Sequence, residues 1–281
     1  MYRLLAVITF LILIAGCTAN LGYKFADTLV EWEIKDYVDL TGEQEELLSE
    51  KVDELHIWHA QTQLPLYRNK LKNLRDKVDK QTLSKSDIGD FEDKLWTFWD
   101  NVLVRAEAEA DLLAMLSLKQ RQQLIRRLEE AQEERYQRFQ DDQEENPILR
   151  RLDRISEVEE DLEDIIGSLT KEQDKLLRSW VADSPQLREQ WLSYRSNWLS
   201  EFEKALLKQP VDENRLSALI LDPQQLRSEE LQEKADENSQ LRKEFLWDMY
   251  RSLTDEQRKK VIEKADEYID LLDSLIDDFN D

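Results

Sequence analysis

Apolar residues recur at helical spacing along almost the whole of this chain, and the alternation that marks a strand is absent. Ile88, Phe91, Leu95, Phe98, Trp99 and Val102 follow that period, as do Leu187, Trp191, Tyr194, Trp198 and Phe202. Only five Gly and five Pro interrupt 281 residues, so little breaks a helix once it has started. The expected fold class is therefore all-α. Eight Trp, eight Tyr and eight Phe supply apolar area well beyond that of a disordered chain.

Helix starts are written most clearly in one pattern that occurs four times: Leu40-Thr41-Gly42-Glu43-Gln44, Leu116-Ser117-Leu118-Lys119-Gln120, Leu169-Thr170-Lys171-Glu172-Gln173 and Leu253-Thr254-Asp255-Glu256-Gln257. Each is a capping box. The Thr or Ser hydroxyl accepts from the amide three residues on, and the Gln side chain reaches back to the amide of the cap. Thr41 and Ser117 lie 76 residues apart, and Thr170 and Thr254 lie 84 apart. Two halves of similar size thus hold two boxes each, which predicts two tandem helical-hairpin units from an internal duplication. The competing explanation is that capping boxes recur in any helical protein. The polar run from Asp141 to Pro147 divides the expected units, 25–145 and 146–281. The box residues are also candidates for a partner surface.

The first seventeen residues carry a different signal. A basic start with Arg3 leads into an apolar run from Leu4 to Ile14, too short to span a bilayer. Ile14-Ala15-Gly16-Cys17 then resembles the lipobox of bacterial lipoproteins. The resemblance implies a signal peptide at 1–16, diacylglycerol on the Cys17 thiol, and a lipid-anchored linker over 17–24. It places the mature protein in the cell envelope, facing the periplasm. Thr18, where an Asp would mark inner-membrane retention in such lipoproteins, points to the outer membrane. Cys17 is the only cysteine, which excludes disulfides within the chain and thiolate metal sites of several ligands.

Two further resemblances bear on function. Paired Leu-Thr-x-x-Gln motifs, with Met249 to Lys260 the closest stretch, resemble the Spy/CpxP group of periplasmic chaperones. That likeness implies a thin helical cradle holding unfolded clients, here with two units fused. Asp36-Tyr37-Val38-Asp39-Leu40-Thr41, Trp58-His59, Leu64-Pro65-Leu66-Tyr67 and Leu221-Asp222-Pro223 are similar to an uncharacterised family of bacterial envelope lipoproteins, which implies location and fold but no activity.

A formal net charge of −23 repels phosphate backbones, so nucleic acid is not an expected partner. The expected partners are the bilayer, through acylated Cys17, and a protein partner or unfolded client. His56 and His59, three apart with Asp53 a turn earlier, are the one candidate metal pair. Against it stands simple packing beside Trp58. Serine-hydrolase elbows, phosphate loops and zinc-protease motifs are missing, and no cofactor is expected. Trp96, Phe98 and Trp99, and Trp191, Tyr194 and Trp198, are either core or the lining of a groove. The reading is a non-catalytic binding protein, chaperone-like in its clients, with a structural adaptor as the alternative and an enzyme as a third class.

Overall fold

A computed structural model describes residues 17–107 and 111–280, and every regular element among them is helical. None of these helices is long and apolar enough to cross a membrane. In chain order they are α1 (Cys17–Lys24), α2 (Ala26–Tyr37), α3 (Gly42–Trp58), a π-helical turn (His59–Gln63), α4 (Leu64–Asp79), α5 (Lys85–Glu107), α6 (Asp111–Met115), α7 (Leu118–Glu144) and α8 (Pro147–Ile166). Then follow α9 (Lys171–Asp183), α10 (Arg188–Leu207), α11 (Glu213–Leu221), a 3-10 turn (Pro223–Leu226), α12 (Glu229–Arg251) and α13 (Asp255–Asp278). The expected signal peptide, 1–16, lies outside the described residues.

All four capping boxes form, and they open α3, α7, α9 and α13. Residues 17–24 are a correction, because the expected linker is helix α1. It packs on α13, with Asn20 bonded to Ser274 and Lys24 paired with Asp278. Pro65 stands in the first turn of α4. It has no amide to offer the carbonyl four residues back, and the chain widens into the π turn just before it. There the Thr62 hydroxyl donates to the Trp58 carbonyl at 2.6 Å.

The packing follows an approximate two-fold pattern. α2 lies on α3 as α8 lies on α9. α2 touches α7 as α8 touches α13. α4 runs along α13 as α10 runs along α7, while α5 and α12 pack on each other. Glu92 of α5 receives Ser239 and Arg242 from α12 across that central contact. The expected boundary at 145/146 is a tight turn, where the Asn146 side chain caps α8. Packing runs across it, since each half lays a helix against the last helix of the other. α11 and the 3-10 turn have no counterpart in the first half.

Three clusters form the core among the described residues. Ile125, Phe202, Leu206, Leu216 and Leu219 join α7, α10 and α11. Ile155, Leu177, Val181, Phe245 and Met249 join α8, α9 and α12. Ala60, Leu64, Leu275 and Ile276 join the π turn, α4 and α13. Phe202 belongs to an apolar stripe seen in sequence, and in each cluster helices with many charged residues bury one apolar face.

Candidate functional site

The boxes meet in pairs. Gln120 Nε2 donates to Gln44 Oε1 at 2.6 Å and to the Asp39 carbonyl at 2.8 Å, and Gln44 Nε2 donates to the Met115 carbonyl at 3.3 Å. Gln173 and Gln257 repeat this. Gln173 Nε2 donates to Gln257 Oε1 at 2.8 Å and to the Ser252 carbonyl at 3.2 Å. Gln257 Nε2 donates to Gln173 Oε1 at 2.9 Å and to the Ser168 carbonyl at 3.0 Å. In all four cases the carbonyl belongs to the residue two before the partner's cap. Each Gln Oε1 also accepts the amide of its own cap, Thr41, Ser117, Thr170 or Thr254.

The glutamines of these boxes face one another. Gln120, Gln173 and Gln257 are buried, and the glutamines spend their donors and acceptors on one another and on the backbone. The paired boxes are clasps between helix starts. Residues 76 and 84 apart in sequence are held together by them.

His56 and His59 sit at the π turn, in a partly buried ring cluster with no signal in the sequence. The Tyr23 hydroxyl lies 2.8 Å from His59 Nδ1, and the Tyr67 hydroxyl lies 3.0 Å from His59 Nε2. Both ring nitrogens of His59 are thus occupied, and the ring has no position free for a metal. Burial, with His56 nearby adding to it, pushes the His59 pKa down to about 4. Burial also pushes Tyr67 up to about 12 and raises Tyr23 further. The Tyr–His–Tyr chain is neutral at pH 7. Phe98 closes over Tyr67, and Phe279 lies edge-on to both Tyr23 and His56. His56 Nδ1 is 4.0 Å from Asp27, and its Nε2 is buried without a hydrogen-bond partner. Burial lowers its pKa, opposed by Asp27 and Asp53. Among the described residues no three His, Cys, Asp or Glu side chains are placed to hold a metal ion.

The aromatic stripes divide. Phe98 is core, whereas Trp96 is half exposed. Trp198 stacks on Phe202 and donates to the Leu219 carbonyl, and Tyr194 bonds to the Pro223 carbonyl. The second stripe thus fastens α11 and the 3-10 turn to α10.

Among the large apolar side chains left in solvent are one set on the α1–α2 arm and another at the start of α8. Leu21, Phe25, Leu29 and Trp32 are exposed on the first, and Ile148, Leu149 and Leu152 on the second. The i, i+4, i+8, i+11 spacing of the first set is the sequence signal that could have found it.

A family profile matches residues 36–232. The chain belongs to DUF6279, a family of unknown function. The match holds three of the four boxes of this DUF6279 member. The fourth, Thr254 to Gln257, lies beyond it and yet completes the clasp with Gln173. Comparison with curated proteins matches none, and comparison with solved structures matches none.

Proposed function

We propose that this DUF6279 chain is a lipid-anchored, non-catalytic binding protein of the bacterial envelope, tethered by acylated Cys17 and facing the periplasm, at the outer membrane. The single observation that carries the binding role is the start of α8. Ile148, at 68% exposure, lies beside Leu149 and Leu152 on an otherwise acidic body. A folded protein gains nothing in stability from such a patch, and its chemistry fits apolar segments of another protein. The lipobox resemblance and the Leu-Thr-x-x-Gln resemblance to Spy/CpxP supply the rest, a periplasmic setting and unfolded chains as the partner class. The two related sets of helix contacts are consistent with a duplicated unit whose copies exchanged their packing helices.

The test is suppression of aggregation of an unfolded client by the mature protein at ratios up to equimolar. Wild type is expected to slow aggregation. Ile148→Asp together with Leu152→Asp is expected to lose that effect while keeping the wild-type thermal midpoint. Wild type that neither slows aggregation nor crosslinks to client sinks the reading. A single dedicated protein crosslinked through Ile148 in cells assigns the patch to an adaptor instead.

A further inference from the structure

The α1–α2 arm is amphipathic in the reverse sense. Backbone hydrogen bonds from Phe25 to Leu21 and from Leu29 to Phe25 link α1 to α2 across Phe25, which itself departs from helical geometry at φ −106° and ψ 17°. Leu21 lies on α1, Phe25 at the junction, and Leu29 and Trp32 lie about 60° apart on α2 at 100° per residue. These four are the exposed positions from residue 20 to 35, with Phe25 at 59% and Trp32 at 64%. Between them the charged side chains are drawn aside. Lys24 pairs with Asp278, Lys35 pairs with Glu31 and Glu45, and Glu31 also accepts from Ser49. The outward line of the arm is apolar from Leu21 to Trp32 and ends at the exposed Asp36 on the same face.

We infer that this stripe is a membrane-contact face, on which the α1–α2 arm lies along the bilayer surface with Leu21, Phe25, Leu29 and Trp32 in the acyl–headgroup boundary. The inference rests on the proposal that Cys17 is acylated. Cys17 opens α1, and Leu21 follows it by four residues, about 6 Å along the axis. A lipid on Cys17 therefore brings the stripe to the membrane before any soluble partner can reach it. Trp and Phe are the side chains that settle at this depth. The four positions span about 16 Å, enough for a helix lying flat. A net charge of −23 repels anionic headgroups, so the contact is apolar and needs no anionic lipid. It also sets the orientation of the body, since α1 packs on α13 and α2 on α3 and α7, and these carry the stripe's direction into the rest of the bundle.

The test uses the intact lipoprotein in phosphatidylcholine vesicles. Acylation blocks the one native thiol, so Leu29→Cys accepts a single spin label and Ile148→Cys provides the comparison. The label at position 29 is expected to collide with oxygen, which concentrates in lipid, in preference to a water-soluble nickel chelate. The label at position 148 is expected to do the reverse. Water-like accessibility at position 29 in protein whose mass shows the acyl chains overturns the inference and leaves the anchor intact. Spin–spin coupling between labels at position 29 overturns it in favour of a second copy. If the mass shows no acyl chain, the anchor fails, and vesicle binding by the Cys17→Ser protein decides. Roughly tenfold weaker partition for each of Phe25→Ser and Trp32→Ser supports the face, and unchanged partition overturns it.

Discussion

The two glutamine clasps make nearly the same hydrogen bonds at different burial, which allows a differential prediction. Gln173 is fully buried, with 0% exposure, and takes part in four bonds. It accepts from the Thr170 amide and from Gln257, and donates to Gln257 and to the Ser252 carbonyl. Gln173→Ala removes all four and admits no water to replace them. At about 1 kcal/mol for each bond, the loss is about 4 kcal/mol. Gln44 also takes part in four, but it is half-exposed and next to the exposed Thr41 and Ser117. Water can re-solvate the groups it leaves, and Gln44→Ala is expected to cost about 1 kcal/mol. Urea unfolding of the two variants, followed by circular dichroism at equal protein concentration, measures both. In a double-mutant cycle, Gln173 and Gln257 should couple by about 1–2 kcal/mol. Equal losses in the two variants, or no coupling between Gln173 and Gln257, would refute the claim that buried clasps hold the helix starts together.

Further outcomes follow from single residues. Gly167 ends α8 at φ 77° and ψ −171°, a backbone region that only glycine occupies readily, so Gly167→Ala should cost about 1–3 kcal/mol in the same unfolding assay. Its added Cβ also meets the flexible Lys260 side chain, which can move aside. His59, with its pKa lowered to about 4, binds fewer protons when folded than when unfolded. The stability it protects is complete above about pH 6.5 and is lost as pH falls toward 4, by about 3 kcal/mol at pH 4. His59→Gln should flatten that part of the stability profile relative to wild type. A variant profile parallel to wild type between pH 4 and 6.5 would show that His59 is not buried as a neutral ring.

The helix starts at Thr41, Ser117, Thr170 and Thr254 were legible because a capping box is complete within four residues. The all-helical class was legible because the apolar period is local too. What the glutamines do with their remaining hydrogen-bonding positions was not, since each partner lies about 80 residues away and helical period carries no information on which starts meet. Ser184-Pro185 shows the limit at short range. It has the residues of a cap with Pro at the first helical position, yet α10 begins at Arg188. The Ser184 hydroxyl turns back to the Trp180 carbonyl and closes α9 instead. His59 stands out in the sequence only for its spacing to His56. Its two tyrosine partners come from α1 and α4, and Tyr23 lies in a stretch expected to be a linker. The α1–α2 stripe was present in the sequence as four apolar residues at helical spacing, but spacing alone does not tell a buried face from an exposed one. That each half lays a helix against the last helix of the other had no sequence signal at all.

The proposed lipid tether would set location, the direction of the arm and the class of partner the α8 patch can meet. Intact mass spectrometry of the protein extracted from its own bacterial membranes tests it most directly. A chain beginning at Cys17 with diacylglycerol on the thiol and an acylated amino terminus is the expected result. A chain that still begins at Met1, or one carrying Cys17 as a free thiol, would contradict the account.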